Sequence, residues 1–404
     1  MSSLCDVLIV GAGPAGSALA YFLAAQGLDV LLLDKSNFPR DKTCGDGLSP
    51  RAMYVLRQMG LIDQLLKTGW RINHLVLFAP NGRSLRAPIP PYDGLPDFAL
   101  VLPRLQLDEL IRARAVEAGV EFRPRFNVTS LLRENDQVVG VRADTPNGPA
   151  ELRARLTVLA TGASVGLLER AQLLAAPPAF GRAARAYYEG ICGLSDAVEF
   201  HFDSVPLPGY GWIFPLSATA ANVGAGYFVR PGRPPMRNSP VQVMDEFVAN
   251  PYVAKMLAGA RATALPKGYP LRFDFPTART AFPGLVLAGE ACGLVNPLTG
   301  EGIDYALESA EVAAEVLGAA LRSGEAPMLT AHKYSQSLRR RFLQTFVNIG
   351  RVRDLYVQGW VMNRFVAAAN HNDDLKLLLI HIALGNVDPI RALAPKTLLQ
   401  VLLG

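Results

Sequence analysis

The feature that most constrains this chain is an apolar run that leads directly into the glycine turn 11–16 and then into a helical pattern. Gly11 permits a tight turn, Gly13 lets the backbone approach a pyrophosphate, and Gly16 lets the helix pack against the strand. A second apolar run follows and ends in Asp34, at the position where an acidic side chain would accept hydrogen bonds from the ribose hydroxyls. The pattern predicts a dinucleotide-binding strand–turn–helix unit with phosphates at the helix N-terminus. The alternative is an ordinary glycine-rich turn.

The length of 404 residues exceeds that of an ordinary single domain and predicts two or three domains. With 50% hydrophobic and 19% charged residues, the composition is typical of a globular protein with a large core. The first predicted strand begins without a signal-peptide pattern, and no apolar run reaches the roughly 18 residues of a membrane-spanning helix. We therefore expect a cytoplasmic protein.

The cysteines and the charges exclude several classes of function. No cysteine belongs to a C-x-x-C pair or a histidine cluster, so we expect neither a metal site nor a disulfide framework. The net charge is +5, and residues 329–404 alone carry a net charge of +6. Because aromatic residues are not interleaved with these basic residues as in nucleic-acid-binding modules, we expect no nucleic-acid partner.

A long polar loop with glycines around Cys44 follows the second predicted strand. A loop of this length in a nucleotide-binding domain is usually functional, and its glycines would let the backbone approach a planar ligand. Residues 38–52 resemble the F-P-R-x-K-x-C-G-D-G-L-[ST]-P-R-A segment of the geranylgeranyl reductase family, flavoproteins of the p-hydroxybenzoate hydroxylase superfamily. This resemblance implies an α/β fold: a Rossmann-like FAD-binding domain with an inserted β-sheet substrate domain and a C-terminal helical region.

A second motif lies far along the chain, where a buried strand precedes Glu290, a proline-glycine loop and a helix. It is similar to the second flavin motif of the superfamily, with Glu290 in place of the commoner Asp. The carboxylate would accept hydrogen bonds from the ribityl hydroxyls. The backbone N–H groups of 300–303 would face the O2/N1 edge of the isoalloxazine, which is negative in reduced flavin.

These motifs predict FAD as the cofactor. By resemblance, Arg104 opens a helix at the position of a cofactor-binding arginine, and the backbone of Val128 flanks the adenine; a surface arginine is the alternative for Arg104. The residues expected to bind FAD are Gly11, Gly13, Pro14, Ala15, Gly16, Asp34, Lys35, Arg40, Cys44, Gly45, Gly47, Arg104, Val128, Gly289, Glu290, Pro297, Gly300, Gly302 and Ile303.

The electron source stays open between NADPH and reduced ferredoxin. Aromatic hydroxylases of the superfamily that use NADPH usually carry Asp-Gly where this chain has Thr161-Gly162. This departure argues against direct, tight NADPH binding.

An aromatic segment with alternating glycines is predicted to be a strand. Period two places Tyr210, Trp212 and Phe214 on one face and leaves the face of Gly209 and Gly211 bare, which suits a long apolar ligand. Geranylgeranyl reductases carry P-x-x-Y-x-W-x-F-P here, and the form L-P-G-Y-G-W-I-F-P resembles bacterial menaquinone reductases. We predict that the three aromatic residues bind substrate; ordinary core packing is the alternative.

The resemblance implies an FAD-dependent reductase that saturates isolated C=C bonds of a polyprenyl chain on a quinone or lipid precursor. Hydride would come from reduced flavin, and Cys44 is the candidate catalytic residue, as the proton donor or as a group that positions flavin and substrate. The alternative for Cys44 is a small inert residue in a loop. The head group, the number and the position of the reduced bonds are left open.

Two other functions fit parts of the pattern. A flavin monooxygenase or halogenase of the same superfamily would share the fold, although the W-x-W-x-I-P stretch of halogenases is missing. A prenyl-lipid escort protein would share the glycine-rich nucleotide fold without flavin catalysis, and the presence of both flavin motifs argues against it.

The C-terminal helices mix apolar and basic residues, which suits peripheral binding to the inner face of an anionic membrane. A helical cap on the flavin domain is the alternative, and both are compatible. An electron-donor protein is a further expected partner. The expected domains are a discontinuous FAD-binding domain at 1–75, 98–180 and 270–330, a substrate-binding β-sheet domain at 76–97 and 181–269, and a C-terminal helical region at 331–404.

Overall fold

The computed structural model describes residues 4–229, 238–356 and 358–403. Its strands, in chain order, are β1 (Cys5–Val10), β2 (Val30–Asp34), β3 (Gly47–Leu48), β4 (Trp70–Ile72), β5 (His74–Phe78), β6 (Ser84–Pro88), β7 (Ala99–Val101), β8 (Glu121–Pro124), β9 (Asn127–Glu134), β10 (Gln137–Thr145), β11 (Gly148–Leu159), β12 (Phe180–Glu189), β13 (Ala197–His201), β14 (Gly209–Pro215), β15 (Ala220–Phe228), β16 (Arg261–Ala262), β17 (Lys267–Arg272), β18 (Ala281–Phe282) and β19 (Leu285–Leu287).

The helices alternate with the strands in the first part of the chain and dominate its end. They are α1 (Pro14–Ala24), α2 (Pro50–Gln58), α3 (Ile62–Thr68), α4 (Arg104–Glu117), α5 (Gly166–Arg170), α6 (Pro240–Val248), α7 (Pro251–Met256), α8 (Ile303–Ser323), α9 (Pro327–Tyr356), α10 (Gly359–His371), α11 (Asp373–Ala383) and α12 (Pro395–Leu403), with short 3-10 helices at Gly289–Cys292 and Pro389–Leu393.

The first sheet has the strand order β18-β19-β11-β1-β2-β8, and the five strands from β19 to β8 run parallel. Strands β9 and β10 extend it antiparallel from β11. Strand β1 is central and almost wholly buried, which explains its unbroken apolar sequence, because parallel strands are covered on both faces. Helix α1 packs against α4 and α8 beside this sheet.

The second sheet has the order β16-β12-β15-β14-β13-β5-β6, with β17 also paired to β12. Its pairs are antiparallel except for β13 and β5. Helix α6 packs on β12 and β15. A small third sheet, β3-β7-β4, contains the end of the Cys44 loop.

The C-terminal helices pack on both large sheets. Phe342 and Phe346 of α9 contact the rings of Phe275 and Tyr305 in the core of the first sheet. Helices α10 to α12 form a separate apolar cluster that includes Leu85 of β6. The predicted fold class, an α/β FAD-binding fold with a second sheet and a helical C-terminal region, is confirmed.

Within the described ranges, no helix is both long enough and apolar enough to cross a membrane.

Candidate functional site

A cavity of about 800 Å³ lies at the carboxyl ends of the parallel strands of the first sheet, and β14 of the second sheet forms part of its wall. Ligands of open α/β sheets bind at this edge. One end of the cavity is lined by the glycine turn and Asp34, and the other by apolar side chains that include Leu75, Ile89, Val198 and Leu384.

Most residues predicted to bind cofactor or substrate line this cavity. They are Gly11, Gly13, Pro14, Ala15, Asp34, Lys35, Arg40, Cys44, Gly45, Gly47, Arg104, Val128, Glu290, Gly300, Gly302, Ile303, Tyr210, Trp212 and Phe214. Gly16, Gly289 and Pro297 are not part of its wall. A Cβ on Gly16 would lie 1.9 Å from the carbonyl oxygen of Gly11, and one on Gly289 would lie 2.7 Å from Cβ of Ala15. These two glycines therefore allow close packing behind the wall.

The glycine turn leaves room for a phosphate at the start of α1. Gly11 has φ +106°, and a Cβ there would lie 2.3 Å from the carbonyl oxygen of Ala160. No side chain of the described residues caps α1 at Gly13, so the helix N-terminus is open to a ligand. Asp34 also fastens the turn, because its Oδ2 accepts a hydrogen bond from the N–H of Ala12 at 2.8 Å.

The second predicted motif brings a carboxylate and another open helix end to the cavity. Glu290 Oε1 accepts a hydrogen bond from the N–H of Arg272 at 3.1 Å, and its Oε2 lies 3.3 Å from Lys42 Nζ. Helix α8 begins after Gly302, where no side chain within the described ranges caps it. These features fit the parts of FAD. The glycine turn and the open N-terminus of α1 suit the phosphates, the carboxylate of Glu290 suits the ribityl hydroxyls, and the open N-terminus of α8 suits the edge of the flavin ring.

Arg104 lines the cavity, but its guanidinium is engaged by a residue that the sequence interpretation missed. Nε and Nη2 donate hydrogen bonds to the two carboxylate oxygens of Asp108 at 2.6 and 2.8 Å. Burial disfavours the charged form, yet Asp108, with Cys44 as a further contributor, holds the pKa of Arg104 above its ordinary value. Arg40 Nη1 also lies 3.1 Å from Asp108. The sequence feature that could have predicted this ion pair is the i,i+4 spacing of Arg104 and Asp108 on a helix.

The Cys44 loop is tied to the second sheet by a buried aspartate that was also missed. Asp46 has φ +66° and is fully buried. Its carboxylate accepts hydrogen bonds from Tyr187 Oη at 2.8 Å, Asn222 Nδ2 at 2.7 Å and the N–H of Arg104 at 3.2 Å. Burial, opposed by these partners, raises the pKa of Asp46 to about 6. The sequence feature that could have identified Asp46 is its position between two glycines, because Asp is one of the few residues that adopt the left-handed backbone conformation of such turns.

A second buried acidic group lies at the start of α8. Burial, with the neighbouring carboxylate of Asp304, raises the pKa of Glu301 well above its ordinary value, and Glu301 lines the cavity. Arg51 neutralises the neighbours of Glu301: its Nη1 lies 3.2 Å from Asp304 Oδ2, and its Nε donates to Glu308 Oε1 at 2.8 Å. The cavity wall thus contains a carboxyl group whose neutral form is favoured.

The aromatic strand lies where it was predicted, but its other face is not bare. Tyr210, Trp212 and Phe214 line the cavity from β14. A Cβ on Gly211 would lie 2.3 Å from the ring of Phe247 in α6, and one on Gly209 would lie 2.5 Å from a backbone oxygen of β15. The prediction of a bare glycine face was wrong, because these glycines make room for a helix and a neighbouring strand.

Comparisons with known proteins agree with this geometry. Residues 4–172 match the family model described as FAD binding domain. The chain is 32% identical to digeranylgeranylglycerophospholipid reductase 1 of Methanopyrus kandleri, over 84% of this chain and 88% of the relative. It is 33% identical to menaquinone reductase of Mycolicibacterium smegmatis, over 78% of this chain and 77% of the relative.

Solved structures show the same fold. A geranylgeranyl bacteriochlorophyll reductase-like protein from Thermoplasma acidophilum superimposes with a TM-score of 0.81 at 22% identity, covering 92% of each chain. A flavin-dependent brominase superimposes with a TM-score of 0.75 at 20% identity, covering 95% of this chain and 94% of the brominase. At these identities the likeness concerns the fold alone. The sequence relatives, which cover most of both chains, place this protein in the geranylgeranyl reductase family of FAD-dependent oxidoreductases.

Proposed function

We propose that this protein saturates isolated C=C bonds of a polyprenyl chain carried by a quinone or lipid precursor. The observation that carries the proposal is one cavity that joins the predicted FAD site to an apolar, aromatic-lined end. The two relatives described above are named for reactions on a prenylated lipid and on a prenylated quinone. Bound FAD, once reduced, would supply the hydride.

The residues around the apolar end suit a prenyl chain. Phe200 lies 5.5 Å from Tyr210 and 5.3 Å from Phe214 between ring centroids, so the three rings form a continuous wall. Residues of β5, β7, β13 and α11 complete this end with aliphatic side chains. Such a pocket excludes water and holds an alkene by packing alone, which a substrate without a polar group at the reacting bond requires.

We propose that Cys44 acts on the substrate, either as the proton donor or as a group that orients the reacting bond. It lines the cavity together with the aromatic wall, and Gly45 beside it packs so closely that a Cβ would lie 3.1 Å from the Phe214 ring. The close approach of Gly45 to Phe214 supports a position of Cys44 between the predicted flavin site and the apolar end.

The electron donor and the membrane contact are part of the proposal. Thr161 and Gly162 line the cavity, and the absence of the Asp-Gly pair there favours a donor such as reduced ferredoxin over tightly bound NADPH. Trp360, Leu399 and Leu402 of the C-terminal helices are more than half exposed, which supports docking of this basic region on an anionic lipid surface. We also propose that the chain is divided into a discontinuous FAD-binding domain, a substrate-binding β-sheet domain and a C-terminal helical region, with the bounds given above.

The test is mass spectrometry of prenyl lipids after anaerobic incubation with the dithionite-reduced protein. Geranylgeranyl diphosphate and a menaquinone are the two substrates, and we expect a gain of about two mass units per reduced bond. The preferred substrate identifies the head-group class. No gain with either substrate, together with oxygen-dependent flavin reoxidation stimulated by an aromatic compound, would replace the proposal with a monooxygenase or halogenase function.

A further inference from the structure

One amide side chain joins the Cys44 loop to the aromatic strand. Asn222 of β15 is fully buried. Its Nδ2 donates hydrogen bonds to the backbone oxygen of Cys44 and to Asp46 Oδ2, both at 2.7 Å, and its Oδ1 accepts one from Trp212 Nε1 at 2.9 Å. A shift of the loop relative to β14 would therefore break these hydrogen bonds, and water could not replace them because the site is buried.

Asp46 completes this connection from within the loop. Three donors from three elements converge on its carboxylate: Asn222 of β15, Tyr187 of β12 and the N–H of Arg104 at the start of α4. The backbone of Asp46 in turn accepts a hydrogen bond from Leu102 at 2.9 Å. Both sides of the loop are thus held against parts of the chain that are far away in the sequence.

The hydrogen bonds of Asn222 and Asp46 fix the position of the Cys44 loop more tightly than is needed for the loop to fold. An apolar contact already exists, because the Phe214 ring packs on Gly45 and Gly47. A buried polar network beside an apolar wall lowers stability unless every member is bonded, and a fully bonded one defines a single arrangement. The network therefore sets the position of Cys44 relative to the aromatic wall more sharply than packing alone.

We propose that Asn222 and Asp46 are positioning residues, which set where the Cys44 thiol meets the prenyl chain and so which double bond is reduced. The consequence for product choice rests on the proposed function, whereas the fixing of the thiol is independent of it. The two parts are tested by separate measurements.

The first measurement is the rate of alkylation of Cys44 by iodoacetamide in the FAD-loaded protein, followed by peptide mass spectrometry. Exposed Cys192 in the same molecule serves as the reference thiol, while Cys5 and Cys292 are buried. We expect Asn222→Ala to change the Cys44-to-Cys192 rate ratio about tenfold, because two buried hydrogen bonds of the loop are lost.

The matched control is Asn348→Ala. Asn348 is also a buried asparagine that donates to a carboxylate, Asp388 in the C-terminal region, at 2.9 Å. Its loss should lower stability in a similar way and leave the rate ratio within about twofold of the parent protein. An unchanged ratio in Asn222→Ala, or an equal change in the control, overturns the fixing of the thiol. Tyr187→Phe, which keeps the ring and removes only the hydroxyl donor to Asp46, is the second variant if Asn222→Ala does not fold.

The second measurement is the product distribution in the anaerobic reductase assay. We expect Asn222→Ala to change the ratio of partly to fully reduced chains or the position of reduction, and Asn348→Ala to leave both unchanged. A changed alkylation ratio with an unchanged distribution overturns the specificity part. If the parent protein reduces no prenyl chain, the proposed function fails, and the alkylation result still decides whether the network fixes Cys44.

Discussion

Tyr210 of β14 donates its hydroxyl hydrogen bond to the backbone oxygen of Thr299, in the loop before α8. This bond connects the aromatic wall of the second sheet to the loop predicted to hold the flavin ring. Gly300 makes the approach possible, because a Cβ at this residue would lie 2.8 Å from the Tyr210 hydroxyl oxygen. This hydrogen bond therefore joins the predicted substrate site directly to the predicted flavin site.

Tyr210→Phe should weaken FAD binding about fivefold, because the ring is kept and roughly 1 kcal/mol of hydrogen bonding to the loop is lost. Flavin fluorescence during titration of the FAD-free protein measures the affinity. Tyr252→Phe is the control, since this hydroxyl donates to Glu199 outside the cavity. Equal affinities of both variants would show that the loop does not depend on the bond.

Gly11→Ala should abolish stable FAD binding. Its Cβ would lie 2.3 Å from the Ala160 oxygen at φ +106°, so the turn must distort, at a cost to folding of roughly 1–3 kcal/mol. Gly350→Ala is the matched control, because this glycine lies inside α9 with no neighbour within 4 Å of the added Cβ. The control should be about 0.5–1 kcal/mol more stable. Urea denaturation and flavin content of the purified variants decide the comparison.

The sequence allowed the prediction of features that depend on local backbone geometry. Gly11 and Gly13 follow a strand, and Gly302 precedes a helix, so the chain itself shows where helix N-termini open toward a ligand. The alternation from Tyr210 to Phe214 correctly predicted one strand face. These signals lie within short segments, where the period of the structure is visible in the residues.

Contacts between distant segments were not predictable in the same way. Asp46 and Asn222 are 176 residues apart, and their bond depends on how the second sheet sits over the Cys44 loop. The same limit explains the error at Gly211, because the sequence does not reveal that Phe247 of α6 covers this glycine. Asp108 was missed for a different reason, since one acidic residue on an amphipathic helix is usually exposed.

Cys44→Ser should lower turnover about 100-fold or more while FAD stays bound, because a hydroxyl is a much weaker acid than a thiol. The rate of alkene reduction under single-turnover conditions measures the effect. Cys192→Ser is the control, since Cys192 is exposed and lies outside the cavity. Full turnover with an unchanged product distribution in Cys44→Ser would remove Cys44 from the mechanism.

Asp46 should make the protein less stable as the pH rises from about 4 to 6. Burial raises the pKa of Asp46 from 3.8 to about 6, against the opposing effects of Asn222, Tyr187, Arg185 and Arg104. Between these values the folded protein binds more protons than the unfolded chain, so the free energy of unfolding falls with rising pH.

Asp46→Asn removes this ionisation. The difference in unfolding free energy between variant and parent should therefore shift in favour of the variant by about 2.4 kcal/mol from pH 4 to pH 7. Urea denaturation at several pH values measures the shift. A constant difference across this range would contradict a raised pKa at Asp46, because other groups titrate equally in both proteins.

Arg51→Met should lower the free energy of unfolding at neutral pH by about 3–5 kcal/mol, because the buried carboxylate of Asp304 loses its counter-charge, whereas Glu308 keeps Arg341 at 2.7 Å. Arg51 lies 3.2 Å from Asp304, bonds to Glu308 at 2.8 Å and donates to the backbone oxygen of Gly385 after α11 at 3.3 Å. Burial raises the pKa of Asp304 to about 6 even with Arg51 in place, so protonation of Asp304 should recover part of the loss at pH 5.5. Arg261→Met, which removes an exposed pair with Glu189, should have little effect at either pH. A loss that is equal at both pH values would assign the effect of Arg51 to packing instead of charge.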